Sequence, residues 1–139
     1  MGMELGLINN GVRLHRLKAG VAAGQTDIKS DGVDVSNVDV VTFLILLGAV
    51  TNSGSGNSIK LQQSVDDVDG NYQDILGSRT VIADADDNKV LRIEVIRPRS
   101  ASGKFMRVYV DLSDANLVLD GILAELSITR TLPAARQAT

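Results

Sequence analysis

The run Val40-Val41-Thr42-Phe43-Leu44-Ile45-Leu46-Leu47-Gly48 fixes the class of this protein. Nearly every position is apolar, so a strand here is expected to be covered on both faces. Val, Thr, Phe and Ile favour extended structure, and Gly48 ends or bends the strand. The following stretch, 52–57, holds only Asn, Ser and Gly and reads as a loop. Ser58–Val65 then alternates, with Ile59, Leu61 and Gln63 on one side and Lys60, Gln62 and Ser64 on the other. Together the two runs predict a β-hairpin with a long tip.

The period of two continues downstream. Asp66–Asn71 is an acidic turn carrying Asp69-Gly70, and Tyr72–Gly77 is a short connector. Thr80–Ala83 reads as a short strand and Asp84–Asn88 as a second acidic turn. Lys89–Arg97 alternates, with Val90, Arg92, Glu94 and Ile96 opposite Leu91, Ile93 and Val95. Pro98 stops it, because proline lacks the donor that a ladder needs. Lys104–Leu112 is expected to pair back, with Phe105, Arg107, Tyr109 and Asp111 on one face and Met106, Val108, Val110 and Leu112 on the other.

Leu117–Thr129 supports two readings. Leu119, Leu123 and Leu126 share a helical face behind a Ser113-Asp114 cap. With period two, Val118, Ile122, Ala124, Leu126 and Ile128 line one face. Gly121 and the Ile128-Thr129 pair favour the strand. Upstream, Val12, Leu14 and Leu17 begin a strand or an arm, and Thr26–Val35 suggests one or two edge strands. No repeat or heptad is present. The expected architecture is all-β: a jelly-roll-like antiparallel β-sandwich of about eight strands over residues 25–131. A flexible N-terminal arm, 1–24, and a C-terminal tail, 132–139, flank it.

At 139 residues the chain suits one domain. It has no cysteine, which removes disulfides, thiolate chemistry and cysteine metal sites. His15 is the sole histidine, so a Ser-His-Asp arrangement has one possible base, and no Gly-x-Ser-x-Gly elbow accompanies it. Gly54-Ser55-Gly56 and Ser102-Gly103-Lys104 lack the frame of a phosphate loop. The expectation is a protein that is not an enzyme and takes no cofactor. No apolar run reaches the ~20 residues that span a bilayer. The N-terminal residues do not have the pattern of a signal peptide, so a protein made and kept in the cytosol is expected.

The net charge of −3 conceals an asymmetry. Residues 19–88 set three basic residues against eleven aspartates, whereas 89–139 set eight basic residues against five acids. Acidic and basic segments can pair within a chain or between chains. A pI near 5.0 argues against direct nucleic-acid binding.

Two groups of residues are candidate sites. Asp66, Asp67, Asp69 and Asn71 are the best candidate for a metal, an irregular calcium loop helped by Asp74 or by Asp84, Asp86 and Asp87. The spacing misses the EF-hand pattern, because Val65 would take its first position, and a solvated turn is the reading taken. Arg92, Arg97, Arg99, Lys104 and Arg107 could gather as a basic patch that meets an acidic protein surface. His15 lies between Arg13 and Arg16 in a second basic stretch.

The strand pattern from Val40 to Arg130 resembles that of the capsid cement, or decoration, proteins of tailed bacteriophages. The matching pieces are Val40–Gly48, a Gly/Ser tip, Ile59–Ser64, Tyr72-Gln73-Asp74-Ile75-Leu76-Gly77, Val90–Arg99 and Lys104–Asn116. The resemblance implies a jelly-roll virion protein on the capsid exterior that bridges subunits of the major capsid protein. It also implies binding as a small homo-oligomer, a dimer or a trimer, and it carries no catalytic residue. The expected capsid contacts are Arg13, His15, Arg16, Lys18, Arg97, Arg99 and Lys104. A carbohydrate- or host-binding jelly roll of a virion is the alternative. Its weakness is the shortage of exposed rings, since only Tyr72 and Tyr109 are available for a sugar platform.

Overall fold

The computed structural model describes residues 12–24, 26–51, 57–100, 103–112 and 116–128. In chain order the strands are β1 (Val12–Lys18), β2 (Val21–Gly24), β3 (Ile28–Lys29), β4 (Val33–Asp34), β5 (Val40–Thr51) and β6 (Asn57–Ser64). They continue as β7 (Gln73–Asp74), β8 (Thr80–Val81), β9 (Val90–Ile96), β10 (Phe105–Leu112) and β11 (Asn116–Ser127). One sheet runs β1-β11-β5-β9, with β2 also on β11. The other runs β3-β10-β6-β7, with β4 on β10 and β8 on β6. All pairings are antiparallel.

Merging the short neighbours β1/β2, β3/β4 and β7/β8 leaves eight positions in the chain. Numbered along the sequence, the first sheet reads 1-8-3-6 and the second 2-7-4-5. That order is two interlocked Greek keys, a jelly roll. The fold is the expected all-β sandwich.

The expected hairpins are not there. β5 and β6 lie in different sheets, and so do β9 and β10. β6 pairs instead with β10, over Asn57–Ser64 against Phe105–Leu112. The physical reason is burial. Crossing between sheets sets Val41, Phe43, Ile45 and Leu47 of β5 across the core from the sheet that holds Ile59 and Leu61, all at most 2% exposed. A hairpin would have laid the most apolar strand beside its successor rather than against it.

The stretch 117–128 is strand, as expected, but its inward face differs from the period-two reading. Leu117 faces Val50 and Gly121 faces Leu46, while Leu119 faces Leu47. Each strand therefore carries one extra residue, and the two bulges offset each other. The phase of β11 flips near Asp120, so Leu117 and Leu119 join Ile122, Ala124 and Leu126 in the core and Val118 does not. Gly48 lies beside this irregularity. A Cβ there would come within 2.9 Å of Val118 Cγ1, so the close approach requires glycine.

Residues 12–24, read from sequence as arm, are strands of the sandwich. β1 runs antiparallel along Ile122–Ser127 and buries Leu17. Its inward positions carry Arg13 and His15, an inversion that left strand and arm both open in the sequence. Residues 1–11 of the expected arm and the tail 132–139 lie outside the described residues.

Candidate interaction surfaces

The outer face of the second sheet is a closed polar network. Arg107, on the outward side of β10, is only 6% exposed, although the sequence groups it with a surface patch. Its Nε donates to Gln62 Oε1 at 2.8 Å and its Nη1 to Asp69 Oδ1 at 2.7 Å. Its guanidinium lies 4.1 Å from the centre of the Tyr72 ring. The acidic turn thus folds back over the sheet, drawn by a cation that the strand presents. Lys29 Nζ also donates to Asp69, and Lys60 Nζ donates to Asp74 at 2.8 Å while resting over the Tyr109 ring.

These partners account for the carboxylates of the candidate calcium loop, which the sequence reading took as a solvated turn. Asp66 accepts from Ser64 Oγ and Asn71 Nδ2, Asp67 accepts from Tyr72 Oη at 2.6 Å, and Asp69 is taken by Arg107 and Lys29. No group of three or more His, Cys, Asp or Glu side chains suited to a metal is present among the described residues. The Arg107 guanidinium, then Lys29, hold the Asp69 carboxyl below the usual range. The Ser64 hydroxyl does the same for Asp66, the Gln62 amide for Asp74 and the Ser36 hydroxyl for Asp34. The two tyrosines that a sugar platform would need each carry a cation on one ring face.

Tyr109 Oη donates to Asp27 Oδ2 at 2.6 Å, while Leu112 N donates to Asp27 Oδ1 at 2.9 Å. The bond to Asp27 and, secondly, desolvation push the Tyr109 hydroxyl up to about 12 from its ordinary 10.0. The neutral hydroxyl is the form that the fold favours. Its contribution is complete below pH 10.0 and is lost as pH rises toward about 12. Urea midpoints followed across that window are expected to fall further for the wild-type chain than for Tyr109→Phe. Equal slopes would mean that the bond to Asp27 contributes nothing to stability.

The basic candidates divide. Arg13 and His15 line an open cleft of about 370 Å³ with Val33, Asp34, Asn37, Val38, Leu126 and Ile128. Arg97 and Arg99 line a smaller one with Val38 and Asp39. Val38 is common to both, so residues some eighty positions apart in the chain converge on one corner of the sandwich. Arg97 N donates to Asp39 O at 2.7 Å, and its φ of 54° is a left-handed value that costs an arginine about 1 kcal/mol. The backbone of Lys104 joins the same corner, accepting from Val35 N at 2.8 Å. Arg16 and Lys18 lie apart, in a groove with Ala19, Gly20, Val21 and Asp31. Arg92 stands on β9 of the first sheet, where its Nη2 donates to Glu94 Oε2 at 3.2 Å, so the patch expected from 92–107 is not one surface.

The sequence did not single out the 37–38 corner. Val38 is an isolated valine before a longer apolar run and carries no local signal. The outer face of the first sheet had a signal, the apolar residues on both faces of β5. Val40, Leu44 and Leu46 are only half-buried, Leu14 is 63% exposed and Ile96 is 68% exposed. Cover on both faces, expected for this strand, is thus supplied on one face by the core and on the other only by neighbouring strands.

Neither a protein-family model nor a curated protein matches the sequence. Among solved structures, the chain is similar to a β-porphyranase of glycoside hydrolase family 86 from Bacteroides plebeius, at 9% identity and TM-score 0.46. That match covers 84% of this chain and 20% of the other, so the chain spans about a fifth of that enzyme's length. The C-terminal CBM6 of LamC from Zobellia galactanivorans matches at 6% identity and TM-score 0.46, covering 81% of this chain and 98% of that one. The SPBc2 prophage-derived protein YomS matches at 12% identity and TM-score 0.40, covering 83% and 93%. Likenesses this distant carry no argument about activity, and the architecture above rests on the strand order itself.

Proposed function

We propose that this protein is a non-enzymatic structural component of a tailed-phage particle, a cement protein that binds the outer capsid surface and bridges major capsid subunits. It is made in the host cytoplasm, works on the virion exterior and uses no cofactor, membrane or nucleic acid. The observation that carries the reading is the convergence of Arg13, His15, Arg97 and Arg99 around Val38. The acidic turn 66–74 is held mostly by partners within the chain, on the other sheet. That division leaves a corner where Arg13, Arg97 and Arg99 outnumber Asp34 and Asp39, a net positive surface suited to an acidic protein partner. The link to a phage shell comes from the strand resemblance. A lattice of repeated sites makes modest contacts of this kind add up.

The test is co-sedimentation with undecorated phage shells. The wild-type chain is expected to pellet saturably. The triple change Arg13→Glu, Arg97→Glu and Arg99→Glu is expected to weaken binding about tenfold or more, with the wild-type affinity falling as salt is raised. Charge reversal is the right perturbation, because removing residues 12–18 would remove β1 and the buried Leu17. A folded wild-type chain that stays in the supernatant at every concentration would overturn the reading and direct attention to a glycan array.

A further inference from the structure

The two ends of the first sheet are unlike each other. At one end, β1 is defended as edge strands usually are. Arg13 and His15 occupy inward positions, and the ladder breaks register between Arg16 and Lys18. At the other end, β9 has none of these devices. It is seven residues long, pairs with β5 in unbroken register from Val90 to Ile96, and contains no proline or glycine. Among the described residues no strand pairs with its second edge. Its inward residues Leu91, Ile93 and Val95 are only half-buried, whereas those of β5 are at most 2% exposed. Outward, Val90 is 56% exposed and Ile96 68%. A seven-residue edge in unbroken register, with Val90 and Ile96 exposed at its ends, is a template for pairing.

The sequence of β9, Val90-Leu91-Arg92-Ile93-Glu94-Val95-Ile96, is complementary to itself when reversed. We propose that the free edge of β9 is a self-association site, where a second copy of this chain pairs antiparallel about Ile93 and joins the two first sheets into one. A two-fold axis normal to the sheet keeps both outer faces on the same side. Only registers that oppose residues of the same face are then allowed. Centred on Ile93, the pairing sets Arg92 against Glu94 of the second copy, Leu91 against Val95 and Val90 against Ile96. Symmetry forms each of these pairs twice. Moving the centre to Arg92 sets two arginines face to face, and moving it to Glu94 sets two glutamates together. Opposite charges directly across antiparallel strands stabilise and like charges destabilise, so charge and apolarity choose the same register. The Arg92–Glu94 pair made within one chain is exposed on both sides, at 64% and 45%, and either group can turn to the second copy. The shell reading expects a homo-oligomer of unstated interface; this proposal names the edge and the register, and it stands without a shell.

The experiment is sedimentation equilibrium of the full chain over a wide concentration range. A monomer–dimer equilibrium is expected. Arg92→Glu and Glu94→Arg each place like charges across the axis twice, and each is expected to raise the dissociation constant about tenfold or more. The double change R92E/E94R restores opposition and is expected to return it to within about threefold of wild type. The double change also restores the Arg92–Glu94 pair within the chain, so unchanged urea midpoints for the single variants are what separate lost pairing from misfolding. The chain has no cysteine, so single cysteines report the register directly. Ile93→Cys is expected to oxidise to a linked dimer, because its two copies face each other. Leu91→Cys is expected not to, because its copies stand four residues, ~13 Å, apart along the strand, beyond disulfide reach. A chain that remains monomeric throughout would overturn the proposal. So would a dimer that the single reversals do not weaken, or one that the two cysteines link equally. Loss of shell binding alone would bear on the proposed function and leave this pairing intact.

Discussion

Arg107→Ala is expected to lower the free energy of unfolding by about 3 kcal/mol, measured by urea denaturation with an unchanged slope. The side chain makes two hydrogen bonds in which it carries the charge, one to Gln62 and one to Asp69. Bonds of that kind contribute about 1.5–3 kcal/mol each in favourable cases, and stacking on Tyr72 adds up to about 1 kcal/mol. The total stays below the simple sum because Asp69 is 65% exposed and keeps Lys29, so water and an ammonium take over the carboxylate. What remains without its donor is Gln62 Oε1, on a residue that is 8% exposed. Arg107→Lys keeps the charge and loses the planar fork, so it is expected to recover less than half of the loss. The turn 66–72 should become the first site of proteolytic cleavage in the alanine variant, since this cation draws it onto the sheet. A loss under about 1 kcal/mol would mean that the turn is held by its own internal bonds.

Phe43→Ala is expected to cost more, about 4 kcal/mol, in the same measurement. Phe43 is fully buried in the first half of β5, with Ala124 and Ile93 as its lateral partners. Ala124 is too small to move into the space left behind, and Ile93 is held in the ladder of an edge strand. The void therefore persists, and its cost adds to the lost transfer energy of the ring. Phe43→Leu, which keeps most of the volume, is expected to cost about 1.5 kcal/mol or less. If the two variants were equally stable, the centre of the sandwich would be able to close around a missing ring.

Both variants trace to features with different visibility in the sequence. Phe43 was readable as core, because an apolar run of that length has no other soluble use. Arg107 was not readable as buried. Its alternation with Phe105 and Tyr109 marks the outward face of β10, and an arginine there ordinarily reaches solvent. Only the return of the 66–72 turn, thirty-five or more residues earlier in the chain, covers it. The acidic turn, read as a solvated loop, hid its partners for the same reason: the cations on Asp69 come from β3 and β10, while Asp66 and Asp67 are held locally by Ser64, Asn71 and Tyr72.

Local alternation determined which segments are strands and, for most of them, which residues face inward. That follows because a strand's two faces depend on its own pleat and on nothing distant. Composition determined that thiol and His-pair chemistry are absent from this chain. Tertiary structure decided the rest. It sent β5 and β6 to different sheets, since burial between facing sheets outweighs the short path of a hairpin. It flipped the phase of β11 at a bulge set by contact with β5, and it made β1 a strand through pairing with residues more than a hundred positions away. It also gathered Arg13 and Arg97 at one corner and left β9 with an open edge. Each of these depends on which surfaces meet, and that is settled by contacts between residues that the sequence keeps far apart.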